Sequence, residues 1–558
     1  MRTLAKTLVA ALAAFTLDAP ATQAAQPLRA GAVASPDRYG ALAAQEVLKS
    51  GGNAVDAAVA TAFTLAVTYP EAGNLGGGGF MTLYIGGKPY FLDYRETAPA
   101  GASADMYLDA KGQPVTSLSL VGVLASGVPG TVRGMAEAHR RFGKLSWARD
   151  LAPAIRLARQ GFVVPQGLIH EREASQADFA KVTNFDRYFG AMTAGHRFRQ
   201  PELAATLSRI AKGGDREFYA GRTADLVVRQ MSRGPAHGLI TKADLAAYKV
   251  AWREPLVGDW RGYRVITAPP PSSGGIALLQ MLAMKADADP AFKGVALNSP
   301  QYLHLMSEVE KRVFADRAEY LGDPDFVKVP VAALTDRAYL ARRAAEIDPA
   351  HPSALAAVQP GLEKPQTTHF SIVDRWGGAV SNTYTLNGSF GAGMVVEGAG
   401  FLLNNEMDDF SVKPGAPNLY GVVGGPANAI APNKRPLSSM TPTILVRDGQ
   451  VSMVLGTPGG SRIFTSVFQV LADVYDFDLP LDRALATLRF HHQLVPENTL
   501  FSEPYAPFPP ALKAAVEARG YHVVGQGWNG DMEAIQVTGG MPHGASDPRG
   551  RGVSLTVR

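Results

Sequence analysis

The chain has 558 residues, 46% of them hydrophobic, a formal net charge of +4 and no cysteine. That length carries a large core in one domain or in two to three smaller ones, and the composition is that of an ordinary soluble globular protein. The lack of cysteine excludes disulfides, thiolate metal sites and a cysteine nucleophile, and the dispersed basic residues form no tract for nucleic acid.

The chain opens with Arg2 and Lys6, an apolar run over 8–17, and the small residues Ala21-Thr22-Gln23-Ala24-Ala25. A charged segment, a short apolar segment and a small-residue cut site read as a secretory signal over 1–25; the other reading is an amphipathic first helix. The run is too short to span a bilayer, and no later stretch is apolar enough to do so. The mature chain is therefore expected to be exported, periplasmic or secreted, with no membrane span.

Two helical patterns follow over 39–65, separated by Ser50-Gly51-Gly52-Asn53, and the second is rich enough in Ala and Val to be buried. The run Gly73-Asn74-Leu75-Gly76-Gly77-Gly78-Gly79-Phe80 leads into a strand over 81–85, a hairpin turn at 86–89 and a return strand over 90–94. The glycine run lacks the Gly-Lys-Ser/Thr ending of a phosphate loop and precedes a strand, so close backbone packing is the better account. Residues 130–350 read as mainly helical, interrupted by Pro269-Pro270-Pro271-Ser272-Ser273-Gly274-Gly275 before a helix over 276–284. Segment 350–366, rich in Pro, Ala and Gln, reads as an exposed linker where a chain can be cut.

Beyond it the pattern changes to strands. Residues 369–374 and 379–386 flank Arg375-Trp376-Gly377-Gly378, a hairpin signal. A Gly/Pro/Asn-rich loop fills 414–436. Two strand patterns around Gly449-Gln450 precede Gly456-Thr457-Pro458-Gly459-Gly460-Ser461-Arg462 and an apolar helix from Ile463.

The first of these strands is led by Thr367-Thr368. A threonine hydroxyl is a weak nucleophile until a base sits beside it, and a cut before Thr367 would free its own α-amine for that role. The alternative is a threonine placed for strand packing. A turn of three or four residues at 375–378 sets Thr367 opposite Thr385 or Leu386, so Thr385 either orients Thr367 or forms a structural cross-strand pair. The Gly459-Gly460 pair between a strand and a helix is either a turn or a pair of N–H donors for an oxyanion. Asn404-Asn405-Glu406-Met407-Asp408-Asp409 offers carboxylates to an ammonium group. Tyr94-Arg95-Glu96 and Arg435-Pro436-Leu437-Ser438-Ser439 offer a guanidinium and hydroxyls to a carboxylate. Together they suit the zwitterionic end of an amino acid; singly they read as solvated charges. His491-His492, at adjacent positions, and His170-Glu171, without a second histidine four residues on, make no metal site.

In order and spacing these motifs, with Tyr320-Leu321-Gly322-Asp323-Pro324, resemble the gamma-glutamyltranspeptidases, an N-terminal-nucleophile hydrolase family, from about residue 30 to Arg549. The resemblance implies an α+β, four-layer αββα sandwich built jointly by a large subunit (26–366) and a small subunit (367–558) that stay associated. The precursor would cut itself between Gln366 and Thr367. Thr367 would then be nucleophile and base, Thr385 its support, and Gly459 and Gly460 the oxyanion donors. Arg95, Ser438 and Ser439 would take the substrate α-carboxylate; Asn387, Glu406 and Asp409 its α-amino group, with Glu406 adding negative charge there. Tyr420 would cover the site from a lid loop. The implied activity is γ-glutamyl transfer from glutathione or another γ-glutamyl compound to water or to an amino acid or dipeptide acceptor, with no cofactor and no metal. Two other readings are a glutaryl-type (cephalosporin) acylase of the same fold and a non-catalytic, uncleaved binding homologue.

Overall fold

A computed structural model describes residues 26–354, 367–413 and 425–558, apart from Lys181, Pro235, Val495 and Trp528. The signal expectation (1–25), Gln366 and Tyr420 lie outside the described residues.

The first strand, β1 (Gly31–Ser35), is followed by α1 (Arg38–Lys49) and α2 (Ala54–Thr68). At the start of α2 the Asn53 side chain accepts from the backbone of Asp56, and the Asp56 carboxylate accepts from the backbone of Asn53. This reciprocal box satisfies two N–H groups that the first turn would otherwise leave orphaned. Every residue of α2 is buried, as its Ala/Val composition predicts. The strands β2 (Gly78–Ile85) and β3 (Lys88–Asp93) pair in register from Phe80–Asp93 to Ile85–Lys88, so the turn is Gly86-Gly87 alone, both at positive φ, tighter than the four residues expected.

Helices α3 (Thr131–Phe142) and α4 (Trp147–Gln160) follow, and then three strands that the helical reading of 130–350 misses. They are β4 (Ala251–Arg253), β5 (Leu256–Trp260) and β6 (Tyr263–Thr267). Helices α5 (Gly274–Asp287) and α6 (Pro300–Tyr320) complete the part before the linker. After it come β7 (Thr368–Val373), β8 (Ala379–Thr385), β9 (Thr443–Arg447), β10 (Gln450–Gly456), α7 (Arg462–Tyr475), β11 (Glu533–Thr538), β12 (Met541–Ser546) and β13 (Val553–Val557).

These strands form two antiparallel sheets. One has seven strands in the order β13-β1-β7-β8-β2-β3-β4; the other has six in the order β12-β11-β10-β9-β6-β5. Strand residues alternate between faces. Ala32 and Ala34 of β1, Val373 of β7 and Tyr84 of β2 meet Ile266, Ile444, Val454 and Ile535 of the other sheet, so the sheets pack face to face. Val33, Phe370, Ile372, Met81 and Leu83 point the other way into a core shared with α1, α2, α3 and α4. The outer face of the six-stranded sheet packs Val265, Leu445, Met453 and Leu455 against α5, α6 and α7. The result is the expected αββα sandwich. Both sheets draw strands from before and after the linker.

Candidate active site

The β7–β8 hairpin is held by Asp374, whose carboxylate accepts from the backbone of Trp376, of Gly378 and of Ala54, the first residue of α2, at 2.8–2.9 Å. Its register pairs Ala379 with Val373 and Tyr384 with Thr368. One step further along, Thr367 and Thr385 face each other, the nearer of the two registers read from the sequence. The hairpin is thus the device that brings a threonine at the strand start beside a second hydroxyl. The Thr385 hydroxyl accepts from the Asn387 backbone at 2.8 Å. Asn387 has φ 78°, a left-handed conformation that turns the chain sharply after β8, and its side chain donates to the Asn405 carbonyl at 3.0 Å.

The four glycines at 76–79, which lead into and open β2, let this happen. A Cβ on Gly77 would lie 2.0 Å from the Thr385 carbonyl oxygen, one on Gly76 2.2 Å from that of Leu402, and one on Gly79 2.4 Å from that of Thr383. Backbone runs against backbone here, and no side chain fits.

Thr367 is almost fully buried and opens onto a cavity with Thr385, Asn387, Glu406, Asp409, Ser438, Ser439 and Gly460 in its wall. Residues from as far apart as Arg317 and Ile463 line one space. Thr368, its neighbour, is fully buried and absent from that wall. His369 is near enough in sequence to suggest a base, but its ring is enclosed, with Nδ1 2.8 Å from the Thr383 hydroxyl and Nε2 3.1 Å from that of Ser371. Burial pushes its pKa down to about 3, so it stays neutral and structural.

Gly459 (φ 141°) and Gly460 (φ 57°) lie between β10 and α7, and Gly460 reaches the cavity wall while Gly459 does not. The Thr457 hydroxyl accepts from the Asp531 backbone at 2.8 Å and fixes the start of this turn. Positive φ at two successive positions is open to glycine at little cost and to few other residues.

Arg95 is fully buried and does not itself form part of the wall. Its Nη1 donates to Glu406 and its Nη2 to Asp409, while Nε donates to the Pro436 carbonyl and Nη2 also to that of Leu437. The residues expected to take opposite ends of a zwitterion are therefore paired with one another. Glu96 adds a third carboxyl, 3.7 Å from Arg95, with neither oxygen hydrogen-bonded. Burial pushes the Glu96 pKa up to about 8, opposed by Arg95. Burial also raises Glu406 well above the usual carboxylate range and raises Asp409, again against the pull of Arg95. Burial of three carboxyls around one guanidinium disfavours their ionised forms, so the site holds less negative charge than the sequence alone suggests.

Three residues near the site escape the sequence reading. Glu96 sits beside Arg95 in the motif but has no visible partner there. Asn428 donates to the Asp409 carbonyl at 2.7 Å and accepts from the Leu437 backbone at 3.0 Å, tying the segments around Asp409 and Leu437 together. Arg317, from α6, lines the cavity and donates to the Ser439 hydroxyl at 3.2 Å.

Away from this cavity, donor atoms of Asp56, His139 and Asp150 lie within 4.8 Å of one another. Asp56 is saturated by backbone donors from Asn53, Lys144 and Leu145, and His139 Nε2 lies 3.0 Å from the Leu145 carbonyl, so the cluster reads as a clasp between α2, α3 and α4. Neither Asp150 oxygen is hydrogen-bonded, and burial together with the neighbouring Asp56 pushes its pKa up to about 9. That value lies above the roughly 3.9 of an unfolded chain. Its contribution is thus fully present below about pH 4 and is lost as pH rises toward 9. Asp150→Asn should melt above the parent at pH 8, with the gap closing at pH 5; a gap independent of pH would overturn this assignment.

The four layers, with a threonine-led strand opening onto a cavity between the sheets, are the architecture of the N-terminal-nucleophile hydrolases. The gamma-glutamyltranspeptidase family model matches residues 40–557, and the chain belongs to that family. It is 62% identical over 535 residues to a glutathione hydrolase proenzyme of Pseudomonas aeruginosa, covering 96% of each chain. Among solved structures it resembles a gamma-glutamyltranspeptidase from Pseudomonas nitroreducens complexed with L-DON (59% identity, TM-score 0.57, 59% of this chain and 97% of that one). It also resembles a cephalosporin acylase from Bacillus halodurans (27% identity, TM-score 0.81, 98% of this chain and 99% of that one). Among the described residues no helix is long and apolar enough to cross a membrane.

Proposed function

We propose that the chain is an exported proenzyme that cuts itself between Gln366 and Thr367 and then acts as a gamma-glutamyltransferase and glutathione hydrolase. The freed Thr367 amine serves as general base and its hydroxyl attacks the γ-amide carbonyl. The Gly459 and Gly460 N–H groups stabilise the oxyanion and Thr385 orients the nucleophile; the amide C–N bond then breaks, the Thr367 amine passes the hydroxyl's proton to the departing amine, and a γ-glutamyl-threonine ester is left. Water, an amino acid or a dipeptide resolves it. Arg95, Ser438 and Ser439 take the donor's α-carboxylate and Asn387, Glu406 and Asp409 its α-amino group. On binding, the zwitterion replaces the Arg95 contacts to Glu406 and Asp409 with its own.

The observation that carries this reading is the meeting of Thr367, Thr385 and Gly460 with one hydroxyl pair and one carboxyl pair around a single cavity. Intact-mass measurement of purified protein combined with a γ-glutamyl anilide assay tests it. Two chains split at Thr367 and release of the anilide are expected; a single inactive chain would sink it.

The glutaryl-type acylase reading draws on the likeness to the cephalosporin acylase. A glutaryl side chain lacks the ammonium group and would leave Glu406 and Asp409 facing it unpaired, which is costly in a buried site. Asp409→Ala should therefore raise KM for a γ-glutamyl anilide by about tenfold or more while sparing a glutaryl anilide. An equal loss on both would remove Asp409 from amino-group recognition.

A further inference from the structure

The wall of the cavity holds a second guanidinium that the assignments above leave without a task. Arg317 comes from the last turn of α6, on the opposite side of the linker from Ser438 and Ser439. It is 7% exposed. Its planar head is used as a fork: Nε donates to the Ser273 hydroxyl at 3.1 Å and Nη2 to the Ser439 hydroxyl at 3.2 Å. The Ser273 hydroxyl in turn donates to the Ser438 carbonyl at 2.8 Å, and the Ser273 backbone donates to the same carbonyl at 2.8 Å. The Ser438 hydroxyl accepts from the Met440 backbone at 3.1 Å.

A hydroxyl has one hydrogen and two lone pairs. Ser439 spends a lone pair on Arg317 and Ser438 spends one on Met440, so each keeps its own hydrogen to offer. Both hydroxyls line the cavity. A pair of outward O–H donors beside a cation fits a ligand group that only accepts, which a carboxylate does and an ammonium does not. Without Arg317, the Ser439 hydroxyl is free to turn around and present a lone pair instead.

We propose that Arg317 is a positioning residue that polarises the Ser439 hydroxyl into a hydrogen-bond donor beside that of Ser438, and so makes this wall select the donor's α-carboxylate. The inference rests on the proposed donor site. Lysine cannot replace it, because one ammonium point charge does not bridge Ser273 and Ser439 as a planar fork does.

The test compares the parent, Arg317→Gln, Arg317→Lys and Ser273→Ala as processed enzymes, with γ-glutamyl anilide as substrate. L-glutamate, glutarate (no ammonium) and 4-aminobutanoate (no α-carboxylate) serve as competitive inhibitors. In Arg317→Gln the KM and the inhibition constants of L-glutamate and glutarate should rise about tenfold or more, with kcat within about twofold. The 4-aminobutanoate constant should stay level. Arg317→Lys should rescue only part of the loss. Ser273→Ala, which removes the fork's second anchor without touching the cavity wall, should shift the same constants in the same direction by less. An equal rise for all three inhibitors, a fall in kcat with KM unchanged, or full rescue by lysine overturns the proposal. If Arg317→Gln is not processed on a gel, Ser273→Ala decides it, and unchanged constants there count against it. A parent enzyme that is cleaved but ignores the anilide sinks the proposed function itself, a result separate from any difference between variants.

Discussion

Thr367→Ala is expected to yield one uncleaved chain without γ-glutamyl turnover, while Thr368→Ala is cleaved as the parent is. Both side chains are threonines at the head of β7, but only Thr367 belongs to the cavity wall, and Thr368 is sealed in the sheet. The nearby imidazole is no substitute base, since enclosure between Thr383 and Ser371 keeps it neutral and already hydrogen-bonded. Removing an enzyme's nucleophile costs on the order of 10⁶ in turnover, so residual activity at a percent level would already contradict the assignment. A denaturing gel reads the cut and the anilide assay reads the turnover. Two bands from Thr367→Ala would remove the residue from self-cleavage. The variant should also melt close to the parent, because a partly wall-facing side chain at a strand end contributes little packing.

Replacing Arg95 should have the second largest effect. Its guanidinium makes four kinds of contact at once: Glu406, Asp409 and the Pro436 and Leu437 carbonyls. Arg95→Lys keeps the charge and loses the fork. Each hydrogen bond to a charged group is worth about 1.5–3 kcal/mol, so two lost contacts predict a rise in KM of roughly 10²-fold or more. Arg95→Met goes further and takes from Glu406, Asp409 and Glu96 the guanidinium they share, a change costing about 3–5 kcal/mol of stability. Steady-state kinetics and thermal melting separate the two. Unchanged KM in Arg95→Lys, or an unshifted melting temperature in Arg95→Met, would show that the carboxyls are neutralised by something other than this side chain.

How much of this was legible depended on whether the signal was local. The β7–β8 register followed from a three-residue turn, the shorter of the two lengths read at 375–378, and the packed glycines of 76–79 from the residues around them, because hairpins and close backbone approaches are decided within a few positions. The strands β4, β5 and β6 escaped because β4 and β5 are sheet edges with half-exposed residues, so the alternation is blurred. The one local clue was Arg261-Gly262, both at positive φ, between Trp260 and Tyr263. Arg317 escaped for a different reason. On α6 the charged residues Glu308, Glu310, Lys311, Arg312, Asp316 and Arg317 are buried beside the leucines and valines, so no polar face marks its role. Its partners Ser273 and Ser439 are set by the tertiary fold alone. The neutralisation of Arg95 by Glu406 and Asp409 is equally non-local: the motif shows which charges exist, and only the fold shows that they meet before any ligand arrives.

The sheets that mix strands from both sides of the linker have a consequence for the life of the molecule. In the seven-stranded sheet β7 and β8 sit between β1 and β2, so each part of the chain is zipped into the other along its full length. A nick before Thr367 therefore changes what must happen on refolding more than it changes the folded form. As a single chain, the strands find each other at the high effective concentration set by their tether. Once nicked and denatured, they are two solutes whose reunion depends on dilution. With the proposed cut, assembly would precede scission and scission would act as a ratchet: the nicked enzyme should recover from heat or denaturant poorly and in proportion to its concentration, where the Thr367→Ala chain recovers independently of it.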